Sequence, residues 1–133
     1  MSAFGSPGAA FSAVAILTAA MAGGAQAQSW PTKPLRLVVA FATGGATDTF
    51  SRVTAAEMSK SLGQQVVVEN RAGAGSAIAN DFVAKATPDG YTLLLVSGAH
   101  VTLAATVKKL PYDPVRDFTF ISPVVTYPLV IAV

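Results

Sequence analysis

Apolar positions change their period along this chain, and the changes mark its elements. Residues 35–41 (LRLVVAF) form a short, nearly continuous apolar run, the pattern of a strand covered on both faces. Over residues 47–62 the spacing becomes helical, with Phe50, Val53, Met58 and Leu62 on the predicted buried face. Thr47 or Asp48 is the predicted N-cap of that helix and Gly63 its stop. Residues 65–69 return to a β-branched strand pattern around Val66, Val67 and Val68. Ile78, Phe82 and Val83 predict a second helix over about 76–86, Pro88-Asp89-Gly90 a turn, and residues 91–96 a third strand. Residues 101–107 read as a short helical or irregular piece, and 110–114 (LPYDP) as a rigid turn. Residues 118–122 and 124–133 are two further β-rich runs, separated by Pro123.

Three strands alternating with two helices predict an α/β fold, with a mainly parallel sheet and right-handed βαβ crossovers. Ligands of open α/β sheets bind outside the carboxyl ends of the strands. Two glycine loops occupy such positions here, residues 43–48 (TGGATD) and 73–76 (GAGS). Glycine removes the side chain that would hold a ligand off the backbone.

Charge divides the chain differently. All nine Lys/Arg and all seven Asp/Glu lie at Lys33 or later. The opening segment is rich in Ala, Gly and Ser and has an apolar stretch over residues 9–22, too short for a membrane span of ~20 residues. It ends in Ala25-Gln26-Ala27, the small-x-small pattern of a signal-peptidase site. Residues 1–27 are therefore expected to be a secretory signal cleaved after Ala27, although the segment lacks the usual Lys or Arg before its apolar core, and the mature chain (28–133) to be exported. The net charge of +2 includes a single adjacent basic pair, Lys108-Lys109, which gives no support for nucleic-acid binding. The absence of cysteine excludes disulfides, thiol catalysis and cysteine-bound zinc together. At the other end, residues 130–133 lie in mid-strand with no closing turn, so the chain reads as a fragment of a longer protein.

The chemistry-bearing residues point to binding. At residues 43–48, the N–H groups and macrodipole of a helix N-terminus favour a carboxylate. Asp48 is expected either to cap helix N–H groups or to bond an amine or hydroxyl of a ligand. Ser76 is a hydroxyl donor to a ligand or a helix cap. The second loop superficially resembles a dinucleotide fingerprint, but Ile78 stands where its third glycine belongs and no acidic residue ends the following strand. His100, the single histidine, has no nearby partners for a metal or catalytic set; it either donates to a ligand or orders its loop. Arg71 either pairs with a ligand carboxylate or with Glu69 or Asp89. Ser97 lies outside any nucleophile elbow, and no acid/base pair is apparent, so no enzyme activity, cofactor or metal is expected.

The ordered series PLRLVVAF (34–41), GGATD (44–48), VVVENRAGAG (66–75), PDGYT (88–92), KKLPYDP (108–114) and Asp117-Phe118 strongly resembles the Bug (TctC-type) extracytoplasmic solute-binding proteins. The resemblance covers essentially all of the chain after Trp30. It implies that residues 28–133 are most of the first lobe of a type II-like, Venus-flytrap periplasmic binding protein, ending near the crossover strands, with the second lobe absent, and that the mature protein is periplasmic. It also implies a receptor, a monomer when full length, that closes around a small di- or tricarboxylate and delivers it to the membrane permease of a tripartite tricarboxylate transporter. By the same resemblance, Phe41, Ala42, Thr43, Gly44, Gly45, Thr47 and Asp48 would hold a ligand carboxylate, and Gly75, Ser76, Ser97 and His100 would line the cleft beside it. The chain departs from the family pattern at Leu103-Ala104 and Val107, where an Asn-Pro pair and an aromatic are usual, so no role passes to Thr102 or Leu103. Two rival readings remain: a sensory binding protein feeding a two-component system, and a truncated product that binds nothing tightly.

Overall fold

The computed structural model describes residues 30–126. The expected signal segment and cleavage site, and the end of the 124–133 run, lie outside the described residues. Three strands form one parallel sheet: β1 (Leu35–Val39), β2 (Val66–Asn70) and β3 (Thr92–Leu95), in the order β2-β1-β3. Between β1 and β2 runs α1 (Ala46–Leu62), and between β2 and β3 runs α2 (Ala77–Ala84), which a 3-10 turn (Ala74–Ser76) introduces. A third helix, α3 (Ala99–Thr106), follows β3 and turns the ambiguous 101–107 stretch into a definite element.

Strand β1 is central, and its alternation supplies both layers of the core. Leu35, Leu37 and Val39 point to one face, where they pack with Val66 and with Ala55 of α1. Val38 and Ala40 point to the other, against Ala79, Phe82 and Val83 of α2. Only Arg36 interrupts this pattern, and its guanidinium lies over the Phe82 ring while pairing with Glu69 at 3.2 Å.

Helix α1 lies on the sheet through small and polar residues near its start and through the predicted Met58 and Leu62 towards its end. Its buried stripe is Asp48, Ser51 and Ala55, with Met58 and Leu62 half-buried farther along. Val53, assigned to the buried face from sequence, is 60% exposed. It stands two residues from both Ser51 and Ala55, about 200° around the helix axis from each, so all three cannot share one face. At the far end Gly63 adopts a left-handed conformation (φ 66°) and stops the helix as expected. The Ser59 hydroxyl donates to Ala55 O and accepts from the Val66 N–H, which ties the helix end to the first residue of β2.

Two expectations need correction. Neither Thr47 nor Asp48 is the N-cap of α1; Gly45 occupies that position and no side chain caps the helix. Residues 118–126 form no strand, and Phe120, Ile121 and Val124 are exposed. β-Branched composition becomes a strand only where the backbone finds a ladder, and no described strand pairs with this segment.

Replacing Leu35, which is 1% exposed at the start of the central strand, with Ala is expected to cost about 2–5 kcal/mol. Val67→Ala on β2, at a site 45% exposed, should cost about 0.5 kcal/mol or less. Urea denaturation of the two variants measures the difference.

Candidate functional site

Register brings the three strand ends together. Val39 stands opposite Asn70 on one side and Leu95 on the other, so the loops after all three strands leave the sheet at one edge. They enclose a depression of about 250 Å³, lined by Ala40, Phe41 and Ala42 of the first loop, Ala72, Gly73, Gly75 and Ser76 of the second, and Ala99 of the third. Of the residues expected from sequence, Phe41, Ala42, Gly75 and Ser76 line this depression. Thr43, Gly44 and Gly45 are exposed in the same first loop, which leads into the N-terminus of α1.

Asp48 lies beneath that loop, 3% exposed. Its Oδ2 accepts from the Gly44 N–H at 2.9 Å and from Arg52 Nε at 3.1 Å. Its Oδ1 accepts from Asn70 Nδ2 at 2.9 Å and faces Arg52 Nη2 at 3.1 Å. Asn70 Nδ2 also donates to Phe41 O at 3.0 Å, and Arg52 Nη2 to Asn70 Oδ1 at 3.3 Å. The network joins both ends of the first loop to the last residue of β2. Arg52, then Gly44 and then Asn70 together hold the Asp48 carboxyl down at about 2, against an ordinary 3.8. Arg52 and Asn70 went unrecognised in the sequence. Arg52 had a signal there, an i,i+4 spacing from Asp48 on one helix; Asn70 had none, since its partners are 18, 22 and 29 residues away.

The second loop holds four consecutive residues at positive φ: Gly73 (135°), Ala74 (47°), Gly75 (62°) and Ser76 (89°). Two of these are not glycine, and such strain persists only where surrounding structure enforces it. The Ser76 N–H donates to Gly73 O, but the side chain does not cap α2, so the capping role is not taken up. Ser76 is 4% exposed as a residue, and its hydroxyl has no partner among the described residues.

The remaining candidates serve structure. Ser97 Oγ accepts the Ala99 N–H at 3.2 Å at the start of α3. His100 is not at the mouth of the depression: it is 3% exposed, with Phe118 edge-on at 5.1 Å and Tyr112 stacked at 6.4 Å. Its Nε2 bonds Pro114 O at 2.9 Å; a carbonyl only accepts, so Nε2 carries the hydrogen. Arg71 bonds Glu69 at 2.6 Å and lies 3.5 Å over the Phe82 ring, which takes it away from the loops. A larger open groove of about 790 Å³ runs along α2, but its four cations Lys33, Arg36, Arg71 and Lys85 are all ion-paired. The smaller depression is therefore the candidate site, because its one polar side chain, the Ser76 hydroxyl, is unspent and stands on apolar walls.

Gly73 occupies a region of backbone space open almost only to glycine (φ 135°, ψ 157°), so Gly73→Ala should destabilise by about 1–3 kcal/mol. The added Cβ would also lie 2.6 Å from Ile78 Cδ1, but that half-exposed side chain can swing aside. Ser76→Gly, at φ 89°, should leave stability unchanged or raise it by up to about 1 kcal/mol. Thermal melts of the two variants distinguish them. Because the folded pKa of Asp48 lies below its ordinary value, its stabilisation is complete above the ordinary value and lost as pH falls from about 4 towards 2. Asp48→Asn should flatten part of the decline in melting temperature between pH 5 and 2, while the similarly lowered Asp89 and Asp113 keep the rest.

Comparison with known proteins places this edge in context. The family profile described as "Tripartite tricarboxylate transporter family receptor" (TctC) matches residues 50–133. A UPF0065 protein of Bordetella bronchiseptica is 45% identical over 119 residues, covering 89% of this chain and 36% of that protein. BugT of Bordetella pertussis is 43% identical over 119 residues, covering 87% of this chain and 36% of its own. The chain thus spans about a third of the length of the curated relatives it matches. Among solved structures, the periplasmic binding protein BugD superposes with a TM-score of 0.64 at 43% identity, over 67% of this chain and 30% of BugD. MatC from Rhodopseudomonas palustris with bound malate gives 0.63 at 46%, over 68% of this chain and 31% of MatC. A second R. palustris protein, with adipate, gives 0.60 at 40%, over 64% and 29%. With residues 50–133 matched by the family profile and its fold shared with periplasmic binding proteins, the chain belongs to the TctC (Bug) family of tripartite tricarboxylate transporter receptors.

Proposed function

We propose that residues 28–133 are most of the first lobe of a two-lobed periplasmic receptor that binds a small organic di- or tricarboxylate and hands it to a tripartite tricarboxylate-type permease. The observation that carries this reading is the set of unspent donors at the loop edge. The first-turn N–H groups of α1 have no partner inside the helix, and no side chain caps them. Ser76, whose hydroxyl has no partner among the described residues, lines the adjoining depression. Together with the helix macrodipole, these groups favour a carboxylate. Malate and adipate in two of the similar structures support the same ligand class.

In this reading the first lobe holds one carboxylate, the second lobe closes over the rest of the ligand, and the closed form docks on the permease. Residues 1–27 act as the export signal. No helix among the described residues is long and apolar enough to cross a membrane. The family is one of solute receptors, and the role proposed is binding rather than catalysis.

Gly45 offers a clean test. Its φ of −81° suits any residue, and a Cβ there meets nothing closer than Ala42 O at 3.9 Å. Gly45→Val should therefore fold normally while its side chain blocks approach to the α1 N-terminus. In the full-length receptor, malate, succinate or adipate should raise the melting temperature of the parent but not of Gly45→Val. An equal shift in both would overturn the assignment of this loop.

A further inference from the structure

Behind the loop edge, the turn at residues 110–114 (LPYDP) returns to the first turns of two helices. Tyr112 is 7% exposed, and its hydroxyl accepts from Nδ2 of the fully buried Asn80 at 3.0 Å, across 32 residues of chain. Asn80 closes the first turn of α2, just after the second loop. The Tyr112 ring also stacks on His100, in the first turn of α3 just after the third loop, and His100 Nε2 donates to Pro114 O. One turn farther along α3, Leu103 reaches the second loop itself: a Cβ built on Gly75 would stand 3.6 Å from Leu103 Cδ1. The starts of α2 and α3 are thus joined by hydrogen bonds through the turn and by packing through Leu103.

The hydrogen bonds of this junction are few. Asn80 Oδ1 and His100 Nδ1 are buried without a partner among the described residues. With the ring hydrogen on Nε2 both atoms are acceptors, so neither can satisfy the other. The Tyr112 hydroxyl is therefore the one partner of the Asn80 side chain among the described residues, and its loss would leave a buried amide wholly unpaired. The first loop is held by other means. Its clamp, Asp48 with Gly44, Arg52 and Asn70, shares no residue with this junction. Helix α1, which continues that loop, packs on the opposite face of the sheet from α2.

We infer that Tyr112 is a positioning residue that couples the second and third loops into one mechanical unit, while the first loop stands on its own clamp. Opening of either coupled loop requires opening of the other. The coupling lies wholly within this lobe and goes beyond the carboxylate reading, since no ligand takes part in it.

Amide hydrogen exchange on the full-length receptor tests it. The reporters are Ser76, His100 and Gly44, whose N–H groups donate to Gly73 O, Ser97 O and Asp48 Oδ2. Tyr112→Phe keeps the ring and removes only the hydroxyl. Ser76 and His100 should then exchange faster by the same factor, about tenfold, with Gly44 unchanged. Acceleration at only one of Ser76 and His100, or at neither, overturns the coupling. Equal acceleration at all three makes Tyr112 a source of general stability and overturns the positioning role. Leu103→Ala keeps the hydrogen bond and removes the packing contact, so it serves if Tyr112→Phe does not fold. In that variant Ser76 should exchange faster with Gly44 unchanged, and an unmoved Ser76 overturns the inference. Each overturning result leaves the carboxylate reading standing.

Discussion

The parallel register of β1 is the constraint on which this lobe depends. Because Val39 aligns with both Asn70 and Leu95, three chain segments far apart in sequence begin their loops at the same height along the sheet. The ladder continues one step further, with the Arg71 N–H donating to Val39 O at 2.8 Å, so even the start of the second loop is held by β1. Without that alignment the Ala40–Ala42 and Gly73–Ser76 segments would be separate turns. With it they become adjoining walls of one depression.

On this frame, a short buried network shapes the electrostatics of the loop edge. An acidic residue in the first turn of a helix is favourable in itself, since it faces the positive end of the macrodipole. Asp48 adds a second function, because its oxygens reach backwards to the Gly44 N–H and sideways to Asn70 at the end of β2. Arg52 then neutralises the carboxylate from one turn farther along. The negative charge is consumed inside the protein, and the surface above it presents donors. The Gly73–Ser76 loop contributes in another way: its positive-φ backbone leaves Ser76 buried without capping α2, so its hydroxyl stays unspent.

The segment after α3 reinforces the third loop from behind. His100 bonds Pro114 O, Tyr112 accepts from the fully buried Asn80 of α2, and Phe118 packs edge-on against both aromatic rings. Within the turn itself, Asp113 Oδ1 accepts the N–H groups of Val115 and Arg116, which also lowers its pKa. This cluster explains why a solitary histidine next to a ligand edge is structural: its ring bridges α3 to the 112–118 turn and faces no solvent.

The sequence by itself determined the fold class, the order of elements and the two glycine loops. These follow from local quantities, namely the period of apolar residues, the φ freedom of glycine and the βαβ rule. It also carried enough ordered motifs to identify the family. Tertiary structure decided which face each residue took and which polar groups were spent. Val53 has the hydrophobicity of a core residue but the wrong angle around α1, and Ser51 has the right angle without the hydrophobicity. The 118–126 run has strand composition but no ladder partner among the described strands. Asn70, His100 and Ser76 each had several available partners, and the choice came from residues between 14 and 29 positions away or, for Ser76, from the absence of any among the described residues. Hydrogen-bond satisfaction is settled by distances in space, and periodicity along a chain records only the neighbours within a helical turn or a strand.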